Sequence, residues 1–149
     1  MNTLAAKTGD QAGQKETKTV NLSHGLTKGR LLVIDDDVGM RSLLNDVLCT
    51  SGYTVTSFSD AIGALKIVTA NDQNIDAIIC DLNMPRISGF DFLDMLQRMK
   101  SKIPLILITA FGTKKTEQEA QKKGAFGYLS KPFQLSEISE LIQKAVNPL

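Results

Sequence analysis

Two apolar runs in the chain end in carboxylates. Leu31-Leu32-Val33-Ile34 leads into Asp35-Asp36-Asp37, and Ala77-Ile78-Ile79-Cys80 leads into Asp81. Two further runs end in groups of complementary chemistry: Leu105-Ile106-Leu107-Ile108 in Thr109-Ala110, and Phe126-Gly127-Tyr128-Leu129 in Ser130-Lys131-Pro132. Taken singly, each group has an ordinary reading. An Asp triplet caps a helix, a Thr closes a strand, and a Lys sits in solvent. Gathered at one place they make a site. Carboxylates about 5 Å apart repel by roughly 3 kcal/mol per pair at an effective dielectric near 20, a cost that a marginally stable domain does not carry idly. A cation offsets that repulsion. Oxygen ligands alone, with no His or Cys among them, select a hard ion, and so few carboxylates suit a partly hydrated Mg2+ better than an all-protein Ca2+ cage.

The elements that must carry these groups follow from hydrophobic pattern. From Arg30 onward, five short apolar runs alternate with helix-length amphipathic stretches, the second run being Tyr53-Thr54-Val55-Thr56. Nearly continuous apolar character over four to six residues suits strands of a parallel sheet covered on both faces. Met40, Leu43, Leu44, Val47 and Leu48 share a helical face, with Gly52 as the stop. Asp60 and Ser88 can cap the second and third helices, and Leu135, Ile138, Leu141, Ile142 and Val146 line the last. The stretch from Thr113 to Lys123 is unusual, because Ala120 is its only apolar residue. Such a helix gains little from packing and is expected to be labile. Five strand–helix units predict an α/β domain with a doubly wound, five-stranded parallel sheet flanked by five helices. In such sheets ligands bind beyond the C-terminal ends of the strands, where Asp35, Asp36, Asp81, Thr109 and Lys131 fall.

These residues resemble the receiver domain of bacterial two-component response regulators, such as the chemotaxis response regulator. The likeness runs from Leu31 to Val146. It rests on Leu32 to Asp37 followed by Arg41, on Asp81-Leu82-Asn83-Met84-Pro85 with Ser88-Gly89, on Ile108-Thr109-Ala110, and on Lys131-Pro132-Phe133. The resemblance implies a flavodoxin-like strand order of 2-1-3-4-5 and a role for each position. Asp81 is implied as phosphoacceptor from a sensor histidine kinase. Asp36, Asp81 and the Asn83 carbonyl are implied as Mg2+ ligands, with Asp35 acting through water. Lys131 would offset phosphoryl charge, Thr109 and the Ala110 N–H would contact phosphoryl oxygens, and a cis bond would precede Pro132. Tyr128 is implied to turn inward when Thr109 is drawn to the phosphoryl group, a switch read out on the fourth helix, fifth strand and fifth helix. Because the family usually has aliphatic residues where this chain has Glu117 and Gln118, residues 112–123 are expected to gain order on phosphorylation. The implied protein is not a turnover enzyme, although it catalyses its own phosphorylation and dephosphorylation.

Composition sets the limits. The 149 residues suffice for one domain, and 42% apolar with 22% charged residues is an ordinary globular balance. Residues 1–28 lack an apolar cluster and read as a flexible polar tail ahead of a receiver domain at 29–149. A net charge of +1 argues against direct nucleic-acid binding. The apolar runs are too short to span a bilayer, no signal-peptide pattern occurs, and Cys49 and Cys80 read as reduced thiols, so a cytoplasmic location is expected. With the chain ending after the last helix, two roles are expected of a whole protein, a switch acting on an unknown downstream protein or a phosphorelay intermediate that donates to a histidine phosphotransfer protein, and a receiver truncated from a longer regulator is the further alternative. A haloacid-dehalogenase-type phosphatase is disfavoured. After Asp94 the only carboxylates are Glu117, Glu119, Glu137 and Glu140, which supply no late acidic pair for its metal.

Overall fold

The structure is a computed structural model, and it describes residues 17–19, 26–71 and 74–148. In chain order the strands are β1 (Thr17–Thr19), β2 (Arg30–Ile34), β3 (Thr54–Phe58), β4 (Ala77–Asp81), β5 (Leu105–Thr109) and β6 (Gly127–Ser130). The helices are α1 (Val38–Thr50), α2 (Ala61–Asn71), α3 (Gly89–Arg98), α4 (Lys114–Lys122) and α5 (Leu135–Val146). The five apolar runs are β2 to β6, with the second and fifth beginning one residue later than the sequence pattern places them. All five are parallel, in the order β3-β2-β4-β5-β6. This is the doubly wound five-stranded arrangement expected from the sequence.

The sheet has a sixth strand that pattern reading does not place. β1 runs antiparallel along the outer edge of β3, with Thr17 opposite Ser57 and Thr19 opposite Val55. A tail at 1–28 was expected to be flexible throughout, but these three residues are in the ladder. Three polar residues carry no periodic apolar signal, and their order comes from unsatisfied backbone groups on β3. Residues 1–16 and 20–25 of that tail lie outside the described residues.

Side chains alternate strictly across the sheet. Leu32, Ile34, Ile78, Cys80, Leu105 and Leu107 face α2 and α3, where they meet Ala64, Val68, Phe92, Leu93 and Leu96. Leu31, Val33, Ala77, Ile79, Ile106 and Ile108 face α1 and α5, against Leu44, Leu48, Ile138 and Ile142. The stripe foreseen for α1 is narrower than its pattern, since Leu43 is exposed. The caps follow chemistry. Asp37 accepts from the Gly39 N–H, Asp60 from the Ile62 N–H, and Ser88 forms a reciprocal box with Asp91. Gly52 closes α1 at φ 105°.

Candidate functional site

Each chemical group is delivered by a strand end and then pinned by backbone bonds. The Asp35 N–H donates to the Phe58 carbonyl (3.1 Å), the Leu82 N–H to Ile108 (2.7 Å) and the Lys131 N–H to Thr109 (2.7 Å). The loop after β4 then turns back tightly. A Cβ at Gly89 would lie 2.8 Å from both the Asp81 carbonyl oxygen and the Leu82 Cα. Those neighbours are backbone and cannot yield, so Gly89→Ala is expected to destabilise the fold by about 1–3 kcal/mol, measurable by denaturant unfolding.

Asp35 is completely buried. Its Oδ1 accepts from the Asp37 N–H at 2.9 Å, its Oδ2 from Lys131 Nζ at 2.9 Å, and the Arg41 guanidinium donates to its carbonyl at 2.7 Å. Lys131 Nζ also lies 3.7 Å from Asp81 Oδ1. Burial works against the ammonium, but the Asp35 hydrogen bond and the charges of Asp35, Asp81 and Asp37 outweigh it and raise its pKa. Asp81 is held the other way. Burial and then the Asp35 charge push its carboxyl up to about 6, against opposition from Lys131 and the Asn83 backbone N–H. Asp36 is exposed at the rim, and carboxylate oxygens of Asp35, Asp36 and Asp81 lie within 4.8 Å of one another. Asp81 Oδ1 is buried without a hydrogen-bond partner.

The structure thus gathers Asp35, Asp36, Asp81 and Lys131 at one rim. The orphaned Asp81 oxygen, an all-oxygen donor set and raised carboxyl pKa fit a hard cation that would supply the missing partner. Thr109 ends β5 beside them, fully buried, with its hydroxyl donating to Asn83 Oδ1 at 2.7 Å and accepting from the Phe111 N–H at 3.1 Å. Ala110 is exposed next to it. The peptide bond before Pro132 is cis. Tyr128 lies opposite Leu107 on the neighbouring strand, and its hydroxyl meets that of Thr116 at 2.7 Å. Thr109 and Tyr128 therefore share a sheet face, but each is hydrogen-bonded elsewhere.

Two of these partners were not read as such from the sequence. The Asn83 backbone carbonyl is implied as a metal ligand, and its side chain in addition holds Thr109, a contact the sequence does not signal. Thr116 was not singled out, although Thr113-x-x-Thr116 is a capping-box spacing, and the reciprocal box is present at the start of α4.

Comparison with known proteins decides the family. The model for the response regulator receiver domain matches residues 31–143. The chain belongs to the response regulator receiver domain family. It is 34% identical over 121 residues to the DNA-binding transcriptional regulator NtrC of Rhizobium meliloti, covering 81% of this chain and 25% of that one. With sporulation initiation phosphotransferase F of Bacillus subtilis it shares 31% over 115 residues, 77% of this chain and 91% of the relative. A receiver domain structure from Clostridium thermocellum superposes with a TM-score of 0.75 at 33% identity, over 80% of this chain and 94% of that one. The chain spans only a quarter of NtrC, so whatever the rest of that regulator does is not shared through this alignment. Receiver domains act in phosphorylation signalling with histidine kinases or phosphotransfer proteins, and the family generally binds Mg2+ in an acidic pocket.

Proposed function

We propose that this receiver takes a phosphoryl group onto Asp81 from a phosphohistidine of a sensor kinase or phosphotransfer protein, in a Mg2+-dependent reaction, and signals by changing shape. The observation that carries the reading is the buried Asp81 Oδ1, which accepts no hydrogen bond and sits 3.7 Å from Lys131 Nζ. A carboxylate oxygen attacks phosphorus as the phosphorus–nitrogen bond breaks, and the departing imidazole keeps the electron pair. Asp36, Asp81 and the Asn83 carbonyl would hold Mg2+, which when bound supplies positive charge to the phosphoryl oxygens. Both Asp35 oxygens are already engaged, which favours its acting through water. Lys131, fixed by Asp35, neutralises a phosphoryl oxygen in a loose transition state that needs charge and position more than covalent help. Ala110 offers its N–H with a side chain too small to block the approach. Thr109 gives up Asn83 for a phosphoryl oxygen, and Tyr128 follows inward.

Intact mass after treatment with acetyl phosphate and Mg2+ tests this. One added phosphoryl group in the parent chain and none in Asp81→Asn is the expected result, and equal gain in both would overturn it. Metal binding should carry the mark of the raised Asp81 pKa. A proton competes with the cation below about pH 6, so apparent Mg2+ affinity at pH 5 should be about tenfold weaker than its plateau above pH 7, read by calorimetry.

A second reading has its own support. Sporulation initiation phosphotransferase F is matched over nearly its whole length. A relay intermediate loses its phosphoryl group rapidly to a histidine phosphotransfer domain, whereas an end switch loses it to water, and a transfer assay separates the two. The reading includes a cytoplasmic location, which suits Cys49 and Cys80 being in no disulfide, and partners that are proteins and not nucleic acid or membrane. No helix among the described residues is long and apolar enough to cross a membrane.

A further inference from the structure

Asp36 is the exposed member of the acidic trio, and its side chain is the least supported. Among the described residues neither of its oxygens accepts a hydrogen bond or pairs with a cation. Its carboxylate nevertheless comes within 4.8 Å of those of Asp35 and Asp81. The backbone must therefore aim it. On one side, the Asp35 N–H is fixed on the Phe58 carbonyl at 3.1 Å. On the other, the Asp37 N–H donates to Asp35 Oδ1 (2.9 Å), its carbonyl accepts from the Arg41 N–H (3.1 Å), and its side chain caps α1 through the Gly39 N–H. Between these anchors lies the peptide that joins Asp35 to Asp36, and Arg41 orients it. The guanidinium donates to the Asp35 carbonyl oxygen at 2.7 Å, a short, charge-assisted bond. Because a peptide unit is planar, holding that oxygen fixes the plane from which Asp36 departs.

Two features mark Arg41 as placed for this bond. It stands at the end of the first turn of α1, where the helix dipole disfavours a cation, and no acidic residue in that turn offsets it. Its half-buried guanidinium also forms no ion pair among the described residues, although the carboxylates of Asp35, Asp36, Asp37 and Asp81 are all at this end of the sheet. A cation paired with a ligand carboxylate would occupy an oxygen that a metal needs. Bonded to the carbonyl behind the carboxylates, Arg41 braces the loop and leaves the oxygens of Asp36 and Asp81 open.

We propose that Arg41 is a positioning residue of the metal site: through the Asp35 carbonyl it sets the direction in which Asp36 presents its carboxylate. The consequence for metal binding rests on the Mg2+ reading above, whereas the brace on Asp36 is a property of the metal-free chain. Charge and position act here with opposite signs. A nearby cation opposes a dication, so loss of the Arg41 charge alone would strengthen Mg2+ binding. Loss of the brace weakens it.

The full chain is titrated with Mg2+ and followed by its backbone amide signals. Arg41→Met should weaken Mg2+ affinity about tenfold, the low end of what is lost with a partner that orients a ligand. Arg41→Gln, milder for the fold, should shift affinity in the same direction. Unchanged or tighter binding in a folded variant would overturn the proposal. Asp36→Ala separates positioning from a general loosening of the chain. In that background Arg41→Met should weaken binding little further, because its effect passes through the Asp36 carboxylate, and a loss as large as in the parent would overturn the proposal. Without metal, Arg41→Met should move the amide signal of Asp36, whose nitrogen shares the peptide plane with the braced carbonyl. An unmoved signal would overturn the brace itself. If the parent takes up no Mg2+ while that signal still moves, the brace stands and the metal reading fails.

Discussion

In the presence of a chelator at neutral pH, Asp81→Asn is expected to be more stable than the parent chain by roughly 3 kcal/mol, despite losing the residue on which the proposed chemistry depends. The Asp81 carboxyl is raised from 3.8 to about 6 by burial and by the Asp35 charge, so folding disfavours its ionised form. Between those two values the folded chain binds more protons than the unfolded one, and stability falls as pH rises through the interval. The penalty is complete above about pH 6 and absent below about pH 4. Asparagine carries no charge and escapes it. The gap between variant and parent should therefore be widest at pH 7 and above, close as pH falls towards 4, and narrow or reverse in excess Mg2+, which the parent binds better. Urea unfolding at three pH values reads all of this. A gap that does not change with pH would mean that Asp81 is not strained by its surroundings.

The second large effect has the opposite sign. Lys131→Met should destabilise the chain by about 3–5 kcal/mol at neutral pH, because the fully buried Asp35 then keeps its charge and loses its counterion. The lysine's own pKa is raised, so its contribution is present through the neutral range and is lost only as pH rises past the ordinary lysine value. Asp35→Asn in the Lys131→Met background should recover much of the loss, since it removes the stranded charge. Phosphoryl gain from acetyl phosphate should slow about a hundredfold in Lys131→Met, as expected when a preorganised positive group is taken from a developing charge. A Lys131→Met chain as stable as the parent would mean that the Asp35–Lys131 ion pair contributes nothing to the fold.

The sheet was legible because its signal is redundant. β2, β4 and β5 are apolar on both faces, since each is covered by helices on either side, and that leaves short continuous runs that few other elements produce. The positions of Asp35, Asp36, Asp81, Thr109 and Lys131 followed from one rule about strand ends, and these five groups do meet beyond β2, β4, β5 and β6. What could not be read was pairing between individual side chains. Nothing in the pattern says that Thr109 turns to Asn83, or Tyr128 to Thr116, because a hydroxyl's choice among nearby acceptors depends on tenths of an ångström that no periodicity records. β1 escaped for another reason, since its order is borrowed from its neighbour's backbone.

That borrowed strand changes what the molecule presents to its surroundings. Without Thr17–Thr19, the outer side of β3 would display a row of free amide and carbonyl groups, an invitation to any passing extended peptide or sister molecule. A chain trimmed to begin at Gly29 would keep every residue of the proposed phosphoryl chemistry and still be poorer company for itself at high concentration.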